Sequence, residues 1–288
     1  MIKLDMKNLA FWFNHKKTLF SYFRRHQLGR GKTRRLFFNN RANILLATHI
    51  DTVCKPKINR ITKKTIFAAG LDDRLGCAIA YQLIKCKHIK ADLLICDYEE
   101  DGQSTAQYHK LKKAKESGSY NFIIELDRNG IDFVDYYGLA EPQMIEDFKK
   151  CTGRKLGLGA FSDICSMESN IGRINVGIGY HKDHAKDSYA NIKQVNKALN
   201  DVIRFCTEYG DFTYEIDFAQ YGRTWDYSGK SMNFSSYSEY AAYSNGRLDY
   251  EYNTWVCVHC NAVIDGYPYD PPMCCGEYMQ RYNDCYRL

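Results

Sequence analysis

The sequence lacks the features that would place it in a membrane or in a disulfide-rich class. No apolar run approaches the roughly 20 residues that a membrane-spanning helix needs, and no long apolar run of the secretory type opens the chain. Most of the 12 cysteines are scattered rather than regularly spaced. Seven stand singly in apolar or helical stretches, which is typical of buried free thiols in a reducing compartment. They are Cys54, Cys77, Cys86, Cys96, Cys151, Cys165 and Cys206. We therefore expect a cytoplasmic protein with no membrane partner.

Acidic residues are almost absent from the first 36 positions, which hold ten Lys or Arg and only Asp5. This excess is larger than the net charge of +6 of the whole chain, so the remainder is slightly acidic. Such a basic arm is compatible with nucleic-acid binding. The alternative, which we favour, is an amphipathic helix over residues 7–25 that docks on the body of the protein. Its apolar positions would be Leu9, Trp12, Phe13, Phe20 and Phe23.

From residue 36 onward, short apolar runs alternate with segments of helical periodicity. This order is typical of an α/β three-layer sandwich with a mostly parallel central sheet. The predicted strands are 35–40 and 43–49, joined by a turn at Asn39–Arg41, followed by 91–98, 121–127, 132–137 and 173–179. The predicted helices are 73–86, a polar helix over 104–117, 141–153 and 192–210.

Side chains that can bind metal ions follow nearly every predicted strand or precede the first helix. In open α/β sheets the ligand site lies beyond the carboxyl ends of the strands, so we expect these side chains to converge. They are His49 and Asp51, Asp72 and Asp73, Glu99 and Glu100, Asp127, and finally His181 and His184.

Histidines and several carboxylates together suit two divalent ions, most simply Zn²⁺. Two adjacent ions need a bridging carboxylate and a bridging water of lowered pKa. They also need a nearby carboxylate that does not bind metal and that accepts the proton of this water. The adjacent Glu99 and Glu100 can supply one ligand and one base.

The motifs "THIDTV", "AGLDDRLG", "YEEDG" and "ELD", followed by the late His184, resemble in order those of the co-catalytic two-zinc exopeptidases. That group includes aminopeptidases, carboxypeptidases and amino-acid deacylases, and the resemblance spans roughly residues 36–210. It implies that His49 and Asp127 hold one zinc, that Glu100 and His184 hold the other, and that Asp72 bridges both. It further implies that Glu99 is the general base, that Asp51 orients His49, and that the Asp72–Asp73 peptide is cis.

Some assignments within this resemblance stay open. His181 competes with His184 for the last ligand position, and we prefer His184. Ser162 and Asp163, in "FSDICS", are candidates for substrate contact or for support of the ligands, with a helix cap as the equal alternative. Many relatives insert a lid domain before the last histidine, but only 57 positions separate Asp127 from His184. Tyr180 or a metal ion would then stabilise the oxyanion.

The end of the chain has a different character. Tyrosines interspersed with Ser, Asn and Gly indicate an irregular connector. Beyond it, Cys257 and Cys260, then Cys274 and Cys275, resemble a rubredoxin-like zinc ribbon that holds one structural zinc. Pro272 stands where the second knuckle should have its first cysteine. Cys275 is the safer ligand there, and the fourth is Cys274, Cys285 or His259.

The sequence thus predicts a zinc-dependent hydrolase that cleaves an amide bond of a small peptide or N-acyl amino acid through a metal-bridging hydroxide. The alternative is a catalytically degenerate fold that binds nucleic acid or protein through the basic arm and the ribbon. We expect four parts: a basic helical arm (1–35), a catalytic domain without a lid (36–212), a Tyr-rich connector (213–251) and the zinc-ribbon module (252–288).

Overall fold

In the computed structural model, the described residues are 1–136, 138–159 and 161–216, followed by short strands beyond residue 216 whose backbone alone is described. The chain divides into two compact units, Met1–Ser236 and Tyr237–Leu288.

A seven-stranded sheet forms the centre of the first unit, in the order β1-β2-β6-β3-β7-β9-β8. The four inner strands β6, β3, β7 and β9 are parallel, whereas β1, β2 and β8 are antiparallel to their neighbours. The inner strands are rich in Ile, Leu and Val and are buried on both faces, as expected of parallel strands. The strands of this sheet are β1 (Gln27–Leu28), β2 (Arg35–Phe38), β3 (Ile44–His49), β6 (Asp92–Cys96), β7 (Phe122–Arg128), β8 (Phe133–Val134) and β9 (Arg173–Gly177).

A second, antiparallel sheet has the order β10-β11-β5-β4. Its β4–β5 hairpin lies between the first two metal-binding motifs, in a stretch to which the sequence analysis assigned no strand. The sheet consists of β4 (Lys57–Ile61), β5 (Thr65–Ala69), β10 (Tyr180–His181) and β11 (Tyr189–Asn191).

The helices start and stop at recognisable sequence signals. Helix α4 begins at Pro142 and ends before Gly153, which has a φ of 69°. Asn191 caps α5, because its side chain accepts hydrogen bonds from the first-turn amides. The α-helices of the described residues are α1 (Met6–Trp12), α2 (Lys16–Tyr22), α3 (Leu71–Lys85), α4 (Pro142–Thr152) and α5 (Ile192–Tyr209).

Helices α1, α3, α4 and α5 join one apolar cluster with alternate residues of the inner strands, including Leu46 and Ile124. The intervening strand residues, such as Leu45 and Ile123, are buried but lie outside that cluster. Short 3₁₀ turns at Thr105–Tyr108 and Asp163–Ser166 contact the sheet instead. The mixed α/β fold with a largely parallel sheet is therefore observed, but short turns stand where a helical third layer was expected.

The polar helix predicted over 104–117 is wrong, because only Thr105–Tyr108 is helical and the rest is irregular. The first two predicted strands are present as β2 and β3, and in the segment that joins them the Arg41 amide donates to Asn39 Oδ1 at 2.9 Å; the two strands do not pair with each other, because β2 pairs with β6. Five of the seven single cysteines are buried as expected, while Cys86 is exposed and Cys54 is half-buried.

The basic N-terminal segment packs on the body, although as two helices rather than one over 7–25. Trp12 is fully buried and stacks on Phe23, with ring centroids 5.3 Å apart. The break between α1 and α2 coincides with Arg74, which donates to the carbonyl oxygens of Trp12 at 2.8 Å and Asn14 at 3.2 Å. Arg74 thus supplies a donor to carbonyl groups at and just beyond the end of α1, where helical partners are missing.

Beyond residue 216 the structure describes short antiparallel ladders. They comprise β12 (Thr224–Trp225) with β13 (Ser231–Met232), β14 (Asn253–Val256) with β15 (Val263–Gly266) and β18 (Gln280–Arg281), and β16 (Met273–Cys274) with β17 (Glu277–Tyr278). Cys257, Cys260, Cys275, Cys285 and His259 lie outside the described residues, and only the backbone of Cys274 is described.

Candidate metal centre

The sheet topology brings the predicted ligands together at the carboxyl ends of the parallel strands. His49 ends β3, Asp127 lies near the end of β7, and Glu100 follows β6. Asp72 lies in the first turn of α3, and the peptide bond that joins it to Asp73 is cis, as the resemblance implied. His184 follows β10 of the second sheet.

The first group of candidate ligands surrounds His49, which is completely buried. Its Nε2 atom lies 3.2 Å from Asp72 Oδ1 and 3.0 Å from Asp127 Oδ1. These three residues offer one ligand atom each within 4.8 Å of one another. A single cation fits among atoms so placed.

The second group shares Asp72 with the first. His184 Nε2 lies 3.0 Å from Glu100 Oε2 and 3.5 Å from the second oxygen of Asp72, Oδ2. Asp72, Glu100 and His184 again place their ligand atoms within 4.8 Å. Asp72 therefore directs one oxygen to each group, as a bridging ligand must.

His181, the competing histidine, is turned away from both groups. Its Nε2 lies 2.9 Å from Gln194 Oε1, and its ring stacks on Tyr189. The geometry therefore favours His184 over His181.

The carboxylates of the site repel one another. Burial raises the pKa of Asp127 to about 6 against the opposing effect of His49. Burial, reinforced by Asp72, raises the pKa of Glu100 to about 7. Burial alone would lower the pKa of His49, but Asp127 and its other acidic neighbours raise it well above the ordinary value. A bound cation would relieve this repulsion and favour the ionised carboxylates.

Glu99 belongs to neither group. Its Oε2 lies 3.8 Å from His49 Nε2, beyond hydrogen-bonding distance. Its pKa is raised to about 9, chiefly by burial and next by the charge of Asp127. Glu99 is thus a free carboxyl beside the candidate ligands, as a proton carrier requires.

Two further acids hold the first group in place. Asp51 Oδ1 lies 3.5 Å from His49 Nδ1, while Asp51 Oδ2 accepts a hydrogen bond from the Glu100 amide at 3.1 Å. Asp73 is buried and accepts from the backbone amides of Gly76 at 2.8 Å and His49 at 3.3 Å. A side chain at Gly76 would place Cβ 2.2 Å from Asp73 Oδ1 and 1.8 Å from the Leu126 carbonyl oxygen, so glycine is needed there.

Ser162 and Asp163 are both completely buried behind Asp127. Ser162 begins a 3₁₀ turn, but its side chain makes no capping hydrogen bond. It instead donates to Asp127 Oδ2 at 3.0 Å. Asp163 accepts a hydrogen bond from Ser104. These contacts favour support of the ligands over helix capping.

Tyr180 is 2% exposed, and its hydroxyl donates to the Asp127 carbonyl oxygen at 2.6 Å. This contact fixes the backbone that carries a candidate ligand. A role for Tyr180 in substrate binding stays a prediction.

Sequence reasoning did not single out Asn175 or Glu125. Asn175 Oδ1 accepts from the Asp127 amide at 3.1 Å, and its Nδ2 donates to Tyr136 Oη at 2.9 Å. Glu125 is completely buried in β7, and neither of its carboxyl oxygens has a hydrogen-bond partner. The available signal was one polar residue inside each of the apolar runs "RINVG" and "NFIIELD".

The donor set fits divalent metal ions on chemical grounds. Each group combines one histidine nitrogen with two carboxylates, a combination typical of zinc. Carboxylates this close together must be protonated or offset by positive charge, and a bound cation would supply that charge.

The fold is similar to that of solved aminopeptidases. Aminopeptidase PepT from Bacillus cereus ATCC 10987 superposes with a TM-score of 0.52 at 13% identity, over 72% of this chain and 100% of that chain. A tripeptidase from Staphylococcus aureus gives a TM-score of 0.49 at 11% identity, over 70% and 98% of the two chains. Yeast aminopeptidase 1 gives 0.36 at 17% identity, over 54% and 48%.

No protein-family model and no curated protein sequence matches the chain. The similarity is therefore one of fold. Within the described residues, the model contains no helix that is both long and apolar enough to span a bilayer.

Proposed function

We propose that the protein is a two-zinc hydrolase that cleaves an amide bond of a small peptide or N-acyl amino acid. The observation that carries this proposal is the pair of ligand groups that share Asp72 at the carboxyl edge of the sheet. His49 and Asp127 would hold one ion, Glu100 and His184 the other, and Asp72 both. The aminopeptidase fold supports the choice of an amide substrate.

When bound, the ions would polarise the substrate carbonyl and lower the pKa of a water molecule. Glu99 would take the proton of the attacking water and return it to the leaving amine. Asp51 would orient His49 through Nδ1, since a carboxylate behind a ligating histidine fixes its tautomer and ring position. Ser162 would hold the side chain of Asp127, and Asn175 its backbone amide, each through a hydrogen bond.

A substrate panel tests the proposal directly. The zinc-loaded full chain is assayed with di- and tripeptides, aminoacyl anilides and N-acyl amino acids. We expect hydrolysis of one of these classes, loss of activity in chelator and recovery on adding zinc. His49→Ala should be inactive, whereas His181→Ala, at the histidine that faces away, should retain activity. Hydrolysis that is equally fast in chelator-treated protein would contradict the proposal.

We also propose that Cys257, Cys260 and Cys275, with a fourth ligand from Cys274, Cys285 or His259, hold a structural zinc. In sequence, the first pair lies between the paired strands β14 and β15, and Cys275 lies between β16 and β17. Cysteines between the two strands of each hairpin suit a zinc ribbon. Nucleic-acid binding gains no support from the comparisons, and Lys16 and Arg34 of the basic arm contact the buried Asp97.

A further inference from the structure

A cavity of about 460 Å³ lies between the N-terminal helices and the segment that follows β3. Its walls carry three cationic side chains and one carboxylate. The lining residues are His15, Lys16, Asp51, Thr52, Lys55, Pro56 and Arg74.

Arg74 is the unusual member of this set. It is only 2% exposed, and no carboxylate of a described residue lies within 4 Å of its guanidinium nitrogens. Its NH1 donates to two backbone carbonyls, while Nε is buried without a partner. Buried charges are normally paired. Arg154, equally buried, follows that rule through Asp201 at 2.7 Å.

The two lysines of the cavity differ in their availability. Lys16 Nζ already contacts the buried Asp97 at 2.6 Å. Lys55 is exposed and has no ion-pair partner among the described residues. The carboxylate of Asp51 is engaged with His49 and with the Glu100 amide. Neither Lys55 nor Arg74 therefore forms an ion pair within 4 Å with a described carboxylate, although Asp51, Asp97 and Asp73 act on Arg74 at longer range.

The cavity borders the candidate metal centre through residues 51–56. On one side of this segment, the Val53 amide donates to Glu100 Oε1 at 3.4 Å, and the Cys54 thiol donates to the His184 carbonyl oxygen at 3.2 Å. On the other side, Thr52, Lys55 and Pro56 line the cavity. The segment 51–56 thus contacts both the candidate metal centre and the cavity, which makes the two neighbours.

We propose that the cavity is a subsite for a carboxylate of the substrate, bound by Lys55 and Arg74. This inference rests on the proposed hydrolase function and specifies its substrate class. The carboxylate is either the C-terminus of a short peptide or an acidic side chain.

The test measures binding without turnover, in the zinc-loaded full chain carrying Glu99→Gln. Calorimetry compares Ala-Ala-Ala with Ala-Ala-Ala-amide, and Ala-Ala-Glu-amide with Ala-Ala-Gln-amide. In one of these pairs we expect the carboxylate to bind about tenfold more tightly, the scale of one charge-assisted hydrogen bond. Lys55→Glu should remove most of that ratio. Lys63→Glu, which changes an exposed lysine in the β4–β5 turn, is the matched control and should preserve it.

The pair that responds identifies the source of the carboxylate, and either result supports the subsite. Equal affinities in both pairs, or a ratio that survives Lys55→Glu, would overturn it, because a carboxylate bound directly by metal would not depend on Lys55. Failure of the hydrolase function is distinguishable. In that case Lys55-dependent binding persists while the parent protein hydrolyses no member of the panel.

Discussion

Glu99 and Glu100 are adjacent in sequence, yet they have different surroundings. Glu100 Oε2 lies 3.0 Å from His184 Nε2, whereas Glu99 Oε2 lies 3.8 Å from His49 Nε2. We therefore expect Glu99→Gln to retain both catalytic ions while turnover falls by roughly 10²–10⁴, the usual effect of losing a general base. Elemental analysis and steady-state kinetics on the same preparation check this.

Glu100→Gln is the matched comparison, since it too replaces one carboxyl oxygen by an amide nitrogen, in the neighbouring side chain. It should lower the content of the second ion. If Glu99→Gln loses metal and Glu100→Gln retains it, the roles of the two residues are reversed.

Ser162 contacts the candidate ligand Asp127 directly and also accepts a hydrogen bond from Asn175. Removal of its hydroxyl leaves Asp127 Oδ2 without that hydrogen bond, and such supporting contacts typically contribute 10- to 100-fold in metal affinity. We expect Ser162→Ala to weaken zinc binding by about that factor, with kcat at saturating zinc little changed. Competition with a chromogenic chelator measures the affinity. Ser169→Ala, which removes a hydroxyl that donates to the Lys112 carbonyl, is the control. Equal affinities in the two variants would contradict a supporting role.

The candidate ligands could be predicted from the sequence because each lies next to a strand or helix that the pattern of apolar residues predicts. Once β3, β6 and β7 are parallel, their carboxyl ends must meet. The supporting residues were harder to predict. Asn175 and Asp127 lie 48 positions apart, and only the pairing of β7 with β9 brings them together.

At the scale of elements, the start of α2 is tied to the loop that carries Glu99 and Glu100. Lys16 Nζ contacts Asp97, which is completely buried and precedes this loop, while Arg34 stands 3.5 Å from the other Asp97 oxygen. Loss of one partner of a buried ion pair is costly, although Arg34 would offset part of the cost. We expect Lys16→Met to lower the free energy of unfolding by about 1–3 kcal/mol, as measured by urea denaturation.

Lys17→Met, at the exposed neighbouring lysine, should change stability little. In Lys16→Met/Asp97→Asn part of the loss should be recovered, because the buried carboxylate that lost its lysine partner is gone. A Lys16 variant as stable as the Lys17 variant would show that the pair contributes nothing measurable.

The helix predicted over 104–117 is absent, which shows how packing overrides local helix propensity. Residues 104–117 contain good helix formers, but helix propensity is a weak guide where tertiary contacts decide. Ser104 contacts Asp163, and Ala106 and Ala114 are buried. A polar segment with no continuous apolar stripe thus covers the sheet as short turns and irregular chain, not as a regular helix.

At the scale of the whole molecule, the alternation of strands and helices in the sequence predicted the α/β class. The end of the catalytic domain was harder to place, because it depends on which residues after α5 are buried against that domain. Tyr214 is 3% exposed and its hydroxyl donates to Asp147 at 2.9 Å. Ile216 is also buried, and its amide donates to the Asn170 carbonyl. A cut after residue 212, the end of the proposed catalytic domain, would remove both contacts, so a truncation that spares the body must lie beyond residue 216.

The boundary between the two compact units, after Ser236, provides that position. All candidate catalytic ligands, from His49 to His184, precede it, while the cysteines of the proposed ribbon follow it. Protein purified without chelator should therefore contain three zinc ions in the full chain and two in residues 1–236. Cys257→Ser in the full chain should lose the same ion as the truncation, and His184→Ala should lose a different one. Elemental analysis checks all four proteins, with thiol titration to show whether the lost ion was bound by cysteines. A full-chain content of one zinc or fewer would exclude the two-metal centre, and a truncated protein with as much zinc as the full chain would exclude the ribbon site.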